Sequence, residues 1–297
     1  MCRKAALPVV FLLALAAAAR AEMKEHRMED GPVVIENDLL KVTVSPIGAR
    51  IVSLVDKFSG RENVKNLPYV GGANEVRFGA VLNVNDLRDR YNLSVSNAPG
   101  GGRRITATIK AAPSEDKPFP ATVTKEYAIT DGSSAIRASL EIANEGEEEI
   151  ALIPWVRNLL LRGTKAQPEE TLMMERGAYI SGKSIPGFPH LGPGMDWHLF
   201  PAANWTARVV LPIEDGSNVF ATVLKPSDML KIYNWHRGKE DFATQEFIAA
   251  PMFAPPGGTA RMEYVQIVAA PVRNIVYCSP DLVIGADPHP TGIAPST

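Results

Sequence analysis

From Val33 onward, short runs of apolar and β-branched residues are cut by Gly, Pro, Asn and Asp, the punctuation of strands and turns. The runs 33–37, 40–45 and 49–55, with a turn at Pro46-Ile47-Gly48 and another at Asp56-Lys57-Phe58-Ser59-Gly60, predict an antiparallel meander. Further strands are predicted at 93–96, 104–110, 121–129, 135–143, 149–161, 205–212, 219–225, 230–234 and 261–269. Alternation is clean in Thr106-Ala107-Thr108-Ile109 and along 135–142, which suits strands with one buried and one wet face. Helical periodicity is scarce; 86–91 and 165–174 have room for a turn or two each. The predicted class is all-β.

Residues 177–201 gather Gly and Pro around His190, Trp197 and His198 and read as a long irregular excursion, the kind of segment that carries function. The Pro- and Gly-rich stretch 280–297 reads as a loosely ordered tail. Neither a fixed-period repeat nor a break in composition marks a linker, so 22–279 is expected to form a single domain.

The first 21 residues differ in kind. Met1-Cys2-Arg3-Lys4 is followed by an apolar run, 5–19, and then by Ala19-Arg20-Ala21, the pattern of a cleaved signal peptide. The run is shorter than the roughly 20 residues a bilayer span needs. An exported protein, periplasmic or secreted, with no membrane attachment after cleavage is the expectation. Loss of Arg3, Lys4 and Arg20 takes the formal charge from −2 to −5, so no nucleic-acid partner is expected. Cys278 becomes the sole cysteine and is read as an inert thiol, which leaves stability to core burial.

The opening meander, then Lys125-Glu126-Tyr127-Ala128-Ile129, then 136–143 closing on Asn144-Glu145-Gly146, then Gln245-Glu246 and Pro255-Pro256-Gly257-Gly258 before a last strand, resembles in order the galactose-mutarotase-like (aldose 1-epimerase-like) domains. The likeness covers residues 33–270. It implies a β-supersandwich: two large, mostly antiparallel sheets packed face to face, with a sugar site on a concave face. It also implies a carbohydrate partner and a chemistry in which a Glu near the C-terminus is the base, a His on a central strand the acid, and a further His a sugar ligand.

Glu246 lies where that carboxylate would. The central His is missing: the corresponding strand reads Ile153-Pro154-Trp155-Val156-Arg157-Asn158-Leu159, and no His occurs between His26 and His190. Arg157 keeps its proton and cannot be a general acid. With Asn158 it is a candidate polar sugar contact, a cross-strand salt bridge being the other reading of Arg157. His198 and His236 remain as candidate acids, each beside a Trp. Trp155, Trp197 and Trp235 offer faces on which a pyranose stacks, or else pack as core or rim. His190, Asp196 and His198 share one loop without a tight ligand motif, so no metal is expected. Gly100-Gly101-Gly102-Arg103-Arg104 lacks the Lys-Ser/Thr ending of a phosphate loop and reads as a hairpin tip with two exposed charges; no cofactor is expected. The sequence therefore predicts an exported carbohydrate-binding or carbohydrate-active protein, a sugar epimerase or mutarotase with an altered acid position. A non-catalytic glycan- or protein-binding sandwich and a polysaccharide lyase or hydrolase stay open, as does the oligomeric state.

Overall fold

The computed structural model describes residues 25–27, 31–67, 71–79, 81–99, 101–161, 169–175, 178–181, 197–199, 205–210, 219–236, 242–269 and 275–285. For 25–27, 169–175, 178–181, 197–199, 208–210, 226, 234–236 and 276 only the backbone is described. The signal segment at 1–21, with His190 and Asp196, lies outside the described residues.

Among the described residues the strands, numbered in chain order, form three main sheets, and every pairing is antiparallel. The first holds β1 (Glu25–Arg27), β2 (Val33–Glu36), β3 (Leu40–Val44), β4 (Ile51–Asp56) and β5 (Arg61–Glu62) in sequence order. A nine-stranded sheet runs β14 (Ala178–Ser181), β13 (Glu169–Glu175), β16 (Trp205–Val210), β17 (Val219–Leu224), β21 (Thr259–Ala269), β10 (Ala135–Asn144), β9 (Ala121–Ile129), β8 (Arg103–Ala111), β7 (Asn92–Asn97). The third sheet runs β15 (Trp197–Leu199), β18 (Met229–His236), β19 (Phe242–Ala249), β12 (Trp155–Leu161), β6 (Glu75–Arg77). Two small ribbons pair β11 (Ile150–Leu152) with β20 (Met252–Ala254), and β22 (Ile275–Ser279) with β23 (Leu282–Gly285).

The first and third sheets form one layer. Isolated bridges at Ile51–Ala73 and Val64–Leu160, with Lys65 N donating to Leu159 O at 2.9 Å, stitch their edges together. This layer covers the inner face of the nine-stranded sheet. β9 shows why: it alternates buried and half-buried along its whole length, with Val123, Lys125 and Tyr127 inward. The main core runs from Ile35 and Val42 through Ile105, Leu140 and Val156 to Phe247 and Met262. The aromatic rings of Phe247 and Tyr264 meet across it at 5.2 Å, edge to face. A smaller cluster lies on the other side of the large sheet, where β22 and β23 cover Trp205, Val223, Val265 and Ile267. All six residues of β17 are therefore buried, and its sequence shows no alternation.

The turn at Pro46-Ile47-Gly48 needs its glycine. Gly48 has φ +71°, and a Cβ there would sit 1.8 Å from the Asp86 carbonyl oxygen.

Four expectations change. The stretch 149–161 is two strands in different sheets, because the break falls at Ile153-Pro154, where proline has no N–H for a ladder. Residues 169–175 of the segment given helical potential form a strand held between two neighbours, and 86–91 contains turns rather than a helix. The tail starts later than 280, since 282–285 is a paired strand. Arg103 and Arg104 are half-buried on β8 rather than at the hairpin tip.

Candidate functional site

The third sheet positions the candidate residues. Along β19, Gln245 and Phe247 face the interior, so the pleat turns Thr244, Glu246 and Ile248 to the outer face. Along β12, Val156 and Leu160 enter the core and Asn158 the polar interior, which leaves Trp155, Arg157 and Leu159 outward. Register then aligns one row across five strands: Glu75 opposite Arg157, Arg157 opposite Glu246, Glu246 opposite Tyr233, and Tyr233 opposite His198.

Glu246 is only 3% exposed. The indole Nε1 of Trp155 donates to its Oε2 at 2.5 Å. Burial lifts the Glu246 carboxyl to about 7, against the opposing pull of the Thr244 hydroxyl, the Arg157 charge, the Trp155 N–H and the Arg77 charge. Trp155 is in turn fixed on two sides, with the Arg77 guanidinium 5.5 Å from its ring centroid and Tyr233 edge-on at 5.6 Å.

Arg157 Nη2 donates to Glu75 Oε1 at 2.5 Å and also contacts Oε2, and Arg77 Nε stands 3.5 Å from Glu75 Oε1. The cross-strand salt bridge is thus the arrangement that forms. Two arginines face two carboxylates, and of the two acids Glu246 lacks the direct guanidinium contact. Burial outweighs the opposing contacts at Glu246, so its carboxyl can exchange a proton near neutrality. Arg157 Nε has no partner among the described residues although it is buried, a state that costs about 1–3 kcal/mol unless a ligand oxygen or water accepts from it.

Asn158, expected beside Arg157 as a sugar contact, faces the opposite way. It is fully buried between the sheets, where its Oδ1 accepts from Asn74 N at 3.0 Å and Gln266 Nε2 at 2.9 Å. Adjacent residues on a strand point to opposite faces, so Arg157 and Asn158 cannot serve one site. Trp155 spends its N–H on Glu246 instead of presenting a free platform, and Trp205 is core. Of the Trp-His pairs the backbone register is defined: Trp197 stands opposite Asn234, Trp235 opposite Thr244 and His236 opposite Ala243. Their side chains lie outside the described set. Glu75, Arg77, Tyr233 and Thr244 were not singled out in the sequence. Glu75 and Arg77 flank a valine in a three-residue strand too short to leave a pattern. Cys278 is buried and its thiol is pushed up to about 12, as an inert thiol should be. Among the described residues no group of three His, Cys, Asp or Glu is placed to hold a metal ion, and no helix is long and apolar enough to cross a membrane.

No protein-family profile matches the chain, and no curated protein matches it. Solved structures do. A galactose mutarotase-like protein from Lactobacillus casei superposes with TM-score 0.60 at 14% identity, over 80% of this chain and 100% of its own. Another from Clostridium acetobutylicum gives 0.60 at 9% identity, over 84% and 98%. The fold is that of the galactose mutarotase-like proteins. A TPR-domain-containing protein from Parabacteroides distasonis also superposes, with TM-score 0.61 at 13% identity over 80% of this chain. This chain spans 47% of that protein's length.

Trp155→Phe tests how the site holds its acid. The ring contacts to Arg77 and Tyr233 survive, while the hydrogen bond to the charged carboxylate is lost, so the Glu246 midpoint is expected to rise above about 7. Carboxyl-carbon NMR titration of 13C-Glu-labelled protein reads this directly. An unmoved or lowered midpoint would show that the indole does not bias Glu246.

Proposed function

We propose that this chain is an exported carbohydrate-active protein in which Glu246 is the base of a sugar mutarotation or epimerisation. The observation that carries the reading is a buried carboxyl lifted to about 7 by desolvation, on the outer sheet face, in a row with Arg157 and Tyr233. Glu246 takes the proton of the anomeric hydroxyl while an acid protonates the ring oxygen. The bond between the anomeric carbon and the ring oxygen breaks to give the open-chain aldehyde, which turns and recloses on its other face. Arg157 stands where the family resemblance puts the acid and cannot fill that role, since it holds its proton and is committed to Glu75. His198 is the acid in this reading. Its backbone lies in the Glu246 row two strands away, roughly 10 Å, on the far side of Tyr233. His236 stands opposite Ala243, outside that row, and is the weaker candidate.

The test is polarimetry on freshly dissolved α-glucose and α-galactose with the purified protein. Faster mutarotation than buffer supports the assignment, and a rate equal to buffer for both sugars, extended to other aldoses, overturns catalysis. A second reading, a non-catalytic glycan-binding sandwich, is favoured by the way Trp155 and Arg157 are occupied by Glu246 and Glu75. Glycan binding that survives Glu246→Gln unchanged, with no turnover, would select it.

A further inference from the structure

We propose a second ligand site on the outer face of the nine-stranded sheet, one that takes an acidic sugar bearing a carboxylate or sulfate group. A groove of about 630 Å³ lies there, within the size range of small-molecule sites. It is on the face of β8, β9, β10, β21 and β17 that points away from the main core, and so away from the Glu246 site.

The sheet register explains the groove. Ala128 on β9 pairs with Arg104 on β8 on one side and with Arg137 on β10 on the other. Two arginines therefore flank one small residue, with their backbones roughly 10 Å apart across two strand spacings. The methyl of Ala128 leaves a low floor, and Val265 and Val223, which follow Arg137 in the same row, are packed beneath β22 and β23 at its margin. Pro280, at the turn between β22 and β23, closes one end, and Ala98-Pro99, beyond β7, the other.

The chemistry of the walls selects the ligand. The lining holds four cations, Arg104, Arg137, Lys225 and Arg261, against two carboxylates, Glu126 and Glu263, while Asp281 and Glu141, just outside it, bond Arg137 and Arg261. Donors and acceptors also alternate. Ser139 Oγ donates to Glu126 Oε2 at 3.3 Å, and Arg261 binds Glu126 at 3.0 Å and Glu263 at 3.0 Å. A ligand rich in hydroxyls uses both kinds of partner. The guanidinium residues on either side of Ala128, Arg104 and Arg137, then call for an oxyanion on that ligand, since guanidinium groups match carboxylate and sulfate geometry. Arg137 is free to turn to it, because its contact to Asp281 at 3.1 Å is between side chains 59% and 81% exposed, a pair worth little. Arg104 is similarly held to Glu126 only at 3.5 Å.

Isothermal titration of the full chain with tetragalacturonate, a sulfated chondroitin tetrasaccharide and neutral maltotetraose tests the site. At least one anionic oligosaccharide is expected to bind, to weaken as NaCl rises from 20 to 150 mM, and to outbind maltotetraose at least tenfold. Comparing the two anions tells carboxylate from sulfate. The double substitution Arg104→Gln with Arg137→Gln should weaken anion binding at least tenfold. Ala128→Leu fills the floor without touching a charge and should do the same, which covers the case in which the double variant fails to fold. Glu246→Gln should leave anion binding unaltered. Equal affinity for neutral and anionic chains, no binding of either anion, full binding by the Ala128→Leu or double variant, or a parallel loss in Glu246→Gln overturns the proposal. A failed mutarotation assay leaves it standing, because the two sites share no residue.

Discussion

Glu246→Gln is expected to slow sugar mutarotation by about 10²–10⁴-fold, the usual contribution of a positioned base, and at the same time to stabilise the fold above neutral pH. The wild-type rate should rise with pH through the Glu246 midpoint near 7, since only the ionised carboxylate accepts the anomeric proton. The stability effect has the opposite sign. A carboxyl that titrates at about 7 when folded and about 4.5 when unfolded binds its proton more tightly in the folded state. Its penalty is absent below about 4.5, grows as pH rises from there to about 7, and is complete above it, on the order of 3 kcal/mol at most. Glutamine cannot ionise. Urea unfolding at pH 5 and pH 8 should therefore show the variant gaining on the wild type at the higher pH, less whatever the lost hydrogen bonds cost. A variant that keeps wild-type turnover rules Glu246 out as the base, and one whose stability tracks the wild type at both pH values rules out a burial-raised carboxyl.

Lys125→Met is expected to cost roughly 3–5 kcal/mol, as does stripping one partner from a buried ion pair. Lys125 is 1% exposed, in the middle of β9. Its Nζ contacts Asp86 Oδ2 and donates to Gly48 O at 2.8 Å and Asn74 O at 3.2 Å. Asp86 is further held by Val76 N at 2.7 Å and by the Tyr91 hydroxyl at 2.8 Å. Burial pushes the Asp86 carboxyl up and the Lys125 ammonium down, and each partner opposes the other's shift. This cluster ties the glycine turn of the first sheet and the strand carrying Glu75 to the nine-stranded sheet. Methionine fills the space of the lysine stem and leaves Asp86 and two carbonyls without their donor. The double variant Lys125→Met with Asp86→Leu should lose less than the sum of the single changes, because no lone charge remains. Denaturant midpoints measure both, and a single-variant cost below about 1 kcal/mol would show that the pair is not holding the layers together.

Much of the site was legible in pieces but not as a site. β9 was readable as a strand, yet in Lys125-Glu126 the lysine is the buried member and the glutamate the outer one. Nothing local says so, because the partner that makes a buried ammonium tolerable is Asp86, 39 residues earlier. β19, which carries Glu246, has no alternation of polar and apolar residues. Its outer face holds Thr244 and Glu246, and its inner face holds Gln245, bonded to Thr222 at 3.1 Å, beside Phe247. A strand that is polar on both faces leaves no binary signature. The hairpin at 275–285 was obscured for another reason: its Pro and Asp form the turn, and composition alone made the turn look like a tail.

The sequence by itself determined the all-β class, most strand positions, the glycine turn before Ile51, and the resemblance that picked out Glu246 and the arginine in place of the expected histidine. These rest on local alternation, turn chemistry and short motifs, all of which act over a few residues. Only the tertiary structure decided that Glu75, Arg157, Glu246 and Tyr233 share one row, that Asn158 faces the interior, and that Arg104 and Arg137 flank Ala128 over a groove. Register between strands far apart in the chain sets those neighbours, and a slip of one residue would turn every one of them to the other face. The protonation of Glu246 near neutrality follows from that register as well, because burial, not residue type, moves the carboxyl from about 4.5 to about 7.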